Sequence, residues 1–149
     1  MNNMTTAPTT LIMRHTFNAP IERVFDAWTT PEVMREFYCP GEIACTSIDV
    51  DLRVGGSYRI VMRQPDGEDY VSYGTYREIL RPSKIVCTQQ WEEDDTSLEH
   101  QTLLTLAFAQ IGNQTELTLT QVNLRDEASR DRHAEGWGAC LSKLERVLG

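Results

Sequence analysis

FNAPIERVFDAWTTPEVMREFYCP, residues 17–40, decides the fold of this 149-residue chain. Pro20 suits the first turn of a helix, because its fixed φ fits there and its missing N–H would go unpaired in any case. Ile21, Val24, Phe25 and Trp28 follow at i, i+3, i+4 and i+7, one apolar stripe. Thr30-Pro31 repeats the start signal with Thr30 as the cap, and Val33, Met34, Phe37 and Tyr38 make a second stripe. Cys39-Pro40-Gly41 ends it. The spacing predicts two short amphipathic helices placed directly after a single strand.

The rest of the chain reads as β until its far end. Strand-like runs fall at about Leu11–Phe17, Ile43–Val50, Ser57–Arg63, Tyr70–Leu80, Ile85–Trp91, Thr102–Ile111 and Glu116–Val122. Gly55-Gly56, Pro65-Asp66-Gly67, Arg81-Pro82-Ser83 and Gly112-Asn113 supply turns between them. Connections this short join antiparallel neighbours, so residues from Ser57 to Val122 should form a meander. Leu104, Leu106 and Phe108 alternate with Leu103, Thr105 and Ala107, giving that strand two distinct faces. From about Glu127 to Leu148 the period returns to 3.6. Trp137, Leu141, Leu144 and Leu148 form the stripe, Cys140 and Val147 widen it, and Ser142, Lys143, Glu145 and Arg146 lie opposite. Gly136, next to Trp137, is expected to let the backbone approach the sheet closely. The order β-α-α-β-β-β-β-β-β-α leaves one economical packing, an α+β helix grip. A curved antiparallel sheet of six or seven strands wraps a long C-terminal helix, with the two short helices between strands 1 and 2.

These segments resemble a known family. FNAPIERVFDAWTTPE, VGGSYRIVMRQPDG, SYGTYREILRPSKIV and HAEGWGACLSKLERVL are similar to the START-like (SRPBCC) superfamily of helix-grip domains, and most to its branch named for the activator of heat-shock-protein-90 ATPase. The resemblance runs from about Leu11 to Leu148. It is carried by Ala19-Pro20 with Trp28 and Pro31-Glu32, by Gly55-Gly56 before a strand, by Pro65-Asp66-Gly67, and by Gly136-Trp137 with the leucines of the last helix. Family members often carry a Trp pair where this chain has Phe37-Tyr38, and a His where it has Gln121, both at positions that shape the cavity. The resemblance implies a ligand cavity between sheet and helix, and a link to chaperones and the stress response.

Length and composition fit a single domain over residues 11–149, preceded by a disordered polar tail over residues 1–10. That tail lacks the basic start and apolar stretch of a secretory signal, and no run reaches the roughly 18 apolar residues that span a bilayer. A cytoplasmic protein is expected. The net charge of −8 opposes binding to nucleic acid or to an anionic membrane surface. Glu92-Glu93-Asp94-Asp95 contributes half of that charge and reads as a solvated hairpin loop. Cys39, Cys45, Cys87 and Cys140 have no metal spacing, and all four are expected to be reduced, with Cys39 and Cys45 half exposed.

No catalytic set can be assembled. His15, His100 and His133 are scattered; there is no nucleophile elbow or phosphate loop; Glu78, Glu116 and Arg14 read as outward strand residues. The sequence asks for neither metal nor cofactor. What remains is a pocket, for which aromatic side chains are the natural lining. Its expected residues are Trp28, Phe37, Tyr38, Tyr58, Met62, Tyr73, Trp91, Leu104 and Trp137, with Gln89 and Gln121 as polar handles. Three functions follow in order of preference. The first is non-enzymatic binding of a small hydrophobic or amphipathic molecule. The resemblance implies the other two, a cyclase-, aromatase- or dehydratase-like enzyme using the same pocket and, third, a heat-shock-protein-90 ATPase activator. A homodimer is compatible with the sequence, although no exposed apolar stripe marks its interface.

Overall fold

The two amphipathic stripes near the N-terminus do form helices, and the apolar stripe at the C-terminus forms a third. A computed structural model describes residues 9–93 and 101–149. Asp94, Asp95, His100 and nearly all of the expected tail lie outside those residues. Thr9 already belongs to the folded part, since its carbonyl accepts the Leu124 amide at 3.0 Å. The elements run β1 (Leu11–Phe17), α1 (Ile21–Ala27), α2 (Pro31–Phe37), β2 (Ala44–Val50), β3 (Ser57–Arg63), β4 (Asp69–Leu80), β5 (Lys84–Trp91), β6 (Thr102–Ile111), β7 (Gln114–Val122) and α3 (Glu127–Leu148). They make one seven-stranded sheet in the order β1-β7-β6-β5-β4-β3-β2, antiparallel throughout. The meander is therefore as expected, and β1 closes it by pairing with β7.

Local chemistry differs from the expected signals in two places. Pro20 sits one position earlier than expected, as the N-cap of α1, and the free Ile21 amide is taken instead by Gln110 Oε1 of β6 at 2.8 Å. Thr30 is the N-cap of α2, yet its hydroxyl makes no capping bond. The amides of Val33 and Met34 donate instead to the Thr30 carbonyl, at 3.0 and 2.9 Å. At the start of α3, by contrast, the Asp126 carboxylate accepts the Ser129 amide at 2.8 Å.

The core lies between the concave face of the sheet and the three helices. Tyr58, Ile60 and Met62 of β3, Leu104, Leu106 and Phe108 of β6, and Leu117 and Leu119 of β7 are all buried there. From α3 come Trp137, Cys140, Leu141, Leu144 and Leu148. Burying each of those leucines contributes about 1.5–3 kcal/mol against leaving it exposed. The close backbone neighbours of α3 are β1 and α2, so the helix is gripped along its C-terminal half. His15 of β1 adds a side-chain contact to Glu145 at 2.7 Å.

The sheet bends where β4 passes β5. A Cβ on Gly74 would overlap the Thr88 carbonyl, so only glycine allows the two backbones to come this close. The register then slips by one residue between Tyr76 and Glu78, a β-bulge. Thr88 O takes its hydrogen bond from the Tyr58 hydroxyl at 2.7 Å, and Thr88 Oγ1 accepts the Thr75 amide at 2.9 Å. The bend thus keeps its backbone groups satisfied through side chains.

The cysteines correct the expectation of four free thiols. Cys39 and Cys45 are joined in a disulfide with their Cα atoms 5.9 Å apart, and Cys39 is buried rather than half exposed. The Pro40-Gly41 turn folds the chain back, bringing the two side chains together, a proximity that metal-spacing rules do not detect. Cys87 and Cys140 are free and buried, and burial pushes each thiol up to about 12. Thiol titration at pH 8 should find none reactive in the native protein, two after unfolding, and four after unfolding with reductant. Four reactive thiols in the unreduced, unfolded chain would show that Cys39 and Cys45 are not bonded.

Candidate functional site

Along its N-terminal half α3 stands away from the sheet, and the space left is a cleft of about 1030 Å³. Its walls are Tyr38, Met62 and Trp91 on one side and Gly136, Trp137, Ala139 and Cys140 of α3 on the other. Ser72, Gln89, Gln90 and Thr102, contributed by β4, β5 and β6, supply polar atoms to the lining. The mouth is formed by the 40–43 turn, by Arg125, Arg132 and Glu135 around α3, and by Glu93. Two devices hold the 40–43 turn. The Cys39–Cys45 bond closes it, and Lys143 Nζ donates to the carbonyls of Cys39 and Gly41 at 2.7 Å each.

The polar groups of the floor form one buried network. Trp137 Nε1–H donates to Gln121 Oε1 at 2.9 Å. Gln121 Nε2 donates to Gln89 Oε1 at 3.1 Å and to Thr102 Oγ1 at 2.9 Å. Thr102 Oγ1 donates in turn to the Gln89 carbonyl at 2.8 Å. Gln89 Nε2 donates to Ser72 Oγ at 3.0 Å and to the Gln90 carbonyl at 3.3 Å. Gln121 is wholly buried, and Ser72 and Gln89 nearly so. Each amide N–H here has an acceptor within the protein, so both glutamine amides can be buried without an unsatisfied N–H.

Nearer the mouth, Trp91 Nε1 lies 3.4 Å from His133 Nε2, while His133 Nδ1 lies 2.8 Å from the Ser129 carbonyl. An indole only donates and a carbonyl only accepts, so this pair of partners suits the neutral Nδ1–H tautomer. Burial, aided by the neighbouring Cys87, Tyr76 and Cys140, pushes the Tyr38 phenol well up, and burial does the same to Tyr58. Both phenols stay neutral at physiological pH. Among the described residues no three His, Cys, Asp or Glu side chains are placed to hold a metal ion. No helix among them is long and apolar enough to cross a membrane.

The structure brings together five of the expected site residues, Tyr38, Met62, Gln89, Trp91 and Trp137, around the cleft. The others take different places. Gln121 lies one layer behind the lining, bonded to Trp137 and Gln89. Trp28 and Phe37 pack edge to face behind Tyr38 and Trp137, with ring centroids 5.0 Å apart for Trp28 and Phe37 and 6.0 Å for Trp28 and Trp137. The buried indole N–H of Trp28 has no partner among the described residues, so this ring serves as apolar packing. Leu104 is core, and Tyr58 is the staple of the Gly74 bend. Tyr73 alternates to the convex face, opposite Arg59 in the register. Gly136 also plays another part than close approach. A Cβ there would meet nothing within 4 Å, because the residue faces the open cleft.

Ser72, Thr102 and the mouth residues were not singled out by the sequence reading. Strand alternation held a usable signal for Ser72: it shares a face with Gly74 and the buried Tyr76, whereas Tyr73 is on the other. No sequence signal pointed to the mouth, whose residues come from three separate connections and the N-terminal half of α3.

Solved structures share this architecture across nearly the whole chain. A Chromobacterium violaceum protein superposes with a TM-score of 0.84 at 22% identity, covering 93% of this chain and 96% of its own. A Rhizobium leguminosarum protein is 29% identical, with a TM-score of 0.74 and 93% of each chain covered. An HSP90 activator from Plasmodium falciparum is 25% identical, with a TM-score of 0.74 and coverage of 95% of this chain and 96% of that one. Among curated proteins none matches the sequence. Residues 18–149 match the family described as "Activator of Hsp90 ATPase homolog 1-like protein", which takes in both short helices, six of the seven strands and α3. The chain belongs to that family, and its helix-grip sheet is the START-like fold.

Proposed function

We propose that this protein binds a small hydrophobic or amphipathic molecule in the cleft between the sheet and the N-terminal half of α3, without catalysing a reaction. The cleft itself carries the reading. At about 1030 Å³ it reaches the upper end of the range for small-molecule sites. Its walls are aromatic and aliphatic, while the polar groups of its floor are bonded to one another. An apolar ligand body could displace water there while the hydrogen bonds of the floor amides stay intact.

The chemistry of the walls favours binding over turnover. A general acid or base works best with a pKa near the operating pH. The phenols facing or flanking the cleft are pushed away from that range by burial, as are the thiols of Cys87 and Cys140. A cyclase- or aromatase-like reading would need a group positioned to move a proton. His133 stands at the mouth, with both ring nitrogens engaged by Trp91 and Ser129.

A second reading has one observation in its favour, the likeness to the Plasmodium falciparum HSP90 activator at 25% identity. That likeness supports a contact with a chaperone, which the cleft alone does not suggest. Saturable stimulation of the ATPase of the chaperone from the same organism would support it, and an unchanged rate at excess protein would remove it.

Gly136→Phe tests the binding reading without threatening the fold. The added ring would project into open cleft, and replacing a helical glycine should leave stability equal or slightly higher, by up to about 0.5 kcal/mol. Titration with the apolar dye N-phenyl-1-naphthylamine should give binding to the wild type and an at least tenfold loss in the variant. Equal affinities in two equally stable proteins would place the dye outside the cleft.

A further inference from the structure

The hydrogen-bond network of the cleft floor has a fixed direction, and Trp137 sets it. Amide side chains can be turned end for end, so a chain of glutamines has no inherent polarity. An indole nitrogen, however, can only donate. Trp137 Nε1 lies 2.9 Å from Gln121, so the atom facing it must be Oε1, and Gln121 Nε2 must face Gln89 and Thr102. Gln89 must then present Oε1 to Gln121, which turns its Nε2 towards Ser72 at 3.0 Å. At the end of this sequence Ser72 Oγ is an acceptor. Reversing any one amide would set two N–H groups, or two oxygens, against each other in a buried site.

Ser72 therefore keeps its own proton. Its hydroxyl accepts from Gln89 and donates to no other described group, although Ser72 is only 2% exposed and lines the cleft. The other floor donors are committed: the Trp137 N–H to Gln121, both Gln121 N–H bonds to Gln89 and Thr102, and the Thr102 hydroxyl to Gln89. A buried hydroxyl that accepts from an already polarised amide is also a better donor than an isolated one.

Resting on the ligand-binding reading above, we infer that Ser72 donates a hydrogen bond to the buried end of the ligand, and so selects amphipathic molecules that carry a neutral acceptor oxygen there, a carbonyl or an ether. Pure hydrocarbon leaves this proton unpaired. A carboxylate would have to lose its hydration beside a floor that offers no cation, which costs several kcal/mol or more. The basic side chains of the lining, Arg125 and Arg132, are exposed and stand at the mouth. A ketone, ester, amide or ether attached to an apolar body meets both conditions.

Two dyes of similar size separate this inference from the reading beneath it. N-phenyl-1-naphthylamine has no oxygen, whereas 6-propionyl-2-(dimethylamino)naphthalene carries a ketone whose emission moves to the blue when its carbonyl loses a hydrogen bond. Wild-type protein should bind both. Ser72→Ala should weaken the ketone dye roughly 3- to 10-fold, as expected for one neutral hydrogen bond. It should also shift the bound dye's emission to the blue, and leave the naphthylamine within about twofold. Ser72→Thr, which keeps the hydroxyl, should restore the ketone preference. If Ser72→Ala does not fold, Ser72→Cys makes the same comparison with a weak donor. Equal effects on both dyes, or no effect on the ketone, would overturn the role of Ser72 while leaving the cleft as a binding site. Failure of the wild type to bind either dye would overturn both.

Discussion

Among the described residues, the fully buried hydrogen bond between α3 and the sheet is Trp137 Nε1–H to Gln121 Oε1 at 2.9 Å, and much of the remaining arrangement depends on it. Both partners are buried, so removing either would leave the other unsatisfied in an apolar setting, at about 1–3 kcal/mol. The bond fixes the depth at which α3 rides over β7. On its C-terminal side, Leu141, Leu144 and Leu148 pack directly into the core. On its N-terminal side the small residues Gly136 and Ala139 line an open cleft. One helix is thus packing element and cleft wall in turn, and Trp137 marks the boundary. The aromatic group behind it, Trp28, Phe37 and Tyr38, comes from the two short helices and gives that boundary a rigid back.

Those short helices explain why the fold needs them. Without α1 and α2, the ring of Trp137 would lose the aromatic group packed behind it, and of the two close backbone neighbours of α3 only β1 would remain. The Lys143 bonds to the Cys39 and Gly41 carbonyls tie the end of α2 to α3, and the disulfide keeps the following turn closed. On the opposite wall, the Gly74 bend carries Ser72 and Gln89 beneath the helix. The cleft is therefore a consequence of three local constraints: an indole that must donate, a glycine that permits two strands to touch, and a bridged turn. On its inner wall burial keeps the Tyr38 phenol and the Cys140 thiol neutral, which suits holding a molecule better than transforming it.

The elements were legible because they rest on periodicity. The stripe Ile21, Val24, Phe25 and Trp28 could not have been a strand, and the leucines of α3 could not have been anything but helix. The site was less legible, for reasons that can be named. Tyr73 looks like lining because it is aromatic, but alternation from Tyr76 puts Ser72 inside, and polar residues are easily passed over when a cavity is expected to be apolar. Gln89 and Gln121 have the character of ligand handles in the sequence; in the structure they bond to each other at 3.1 Å, and Gln89 alone of the two lines the cleft. The Cys39–Cys45 bond was missed because it depends on a turn conformation that composition does not reveal. Leu104 and Tyr58 share the inward face with true lining residues, and depth behind that face is a tertiary property.

A titration followed by 1H–15N correlation spectra tests the central claim most directly, since the three tryptophan indoles sit at graded positions. Trp91 and Trp137 line the cleft, whereas Trp28 lies behind it. On addition of an amphipathic ketone, the Trp91 and Trp137 indole signals and the Gln89 and Gln121 side-chain amides should shift together and saturate, with Trp28 moving less. Shifts confined to amides of the convex face, such as those of Arg59 and Tyr73, would contradict the account, as would spectra unchanged at saturating ligand.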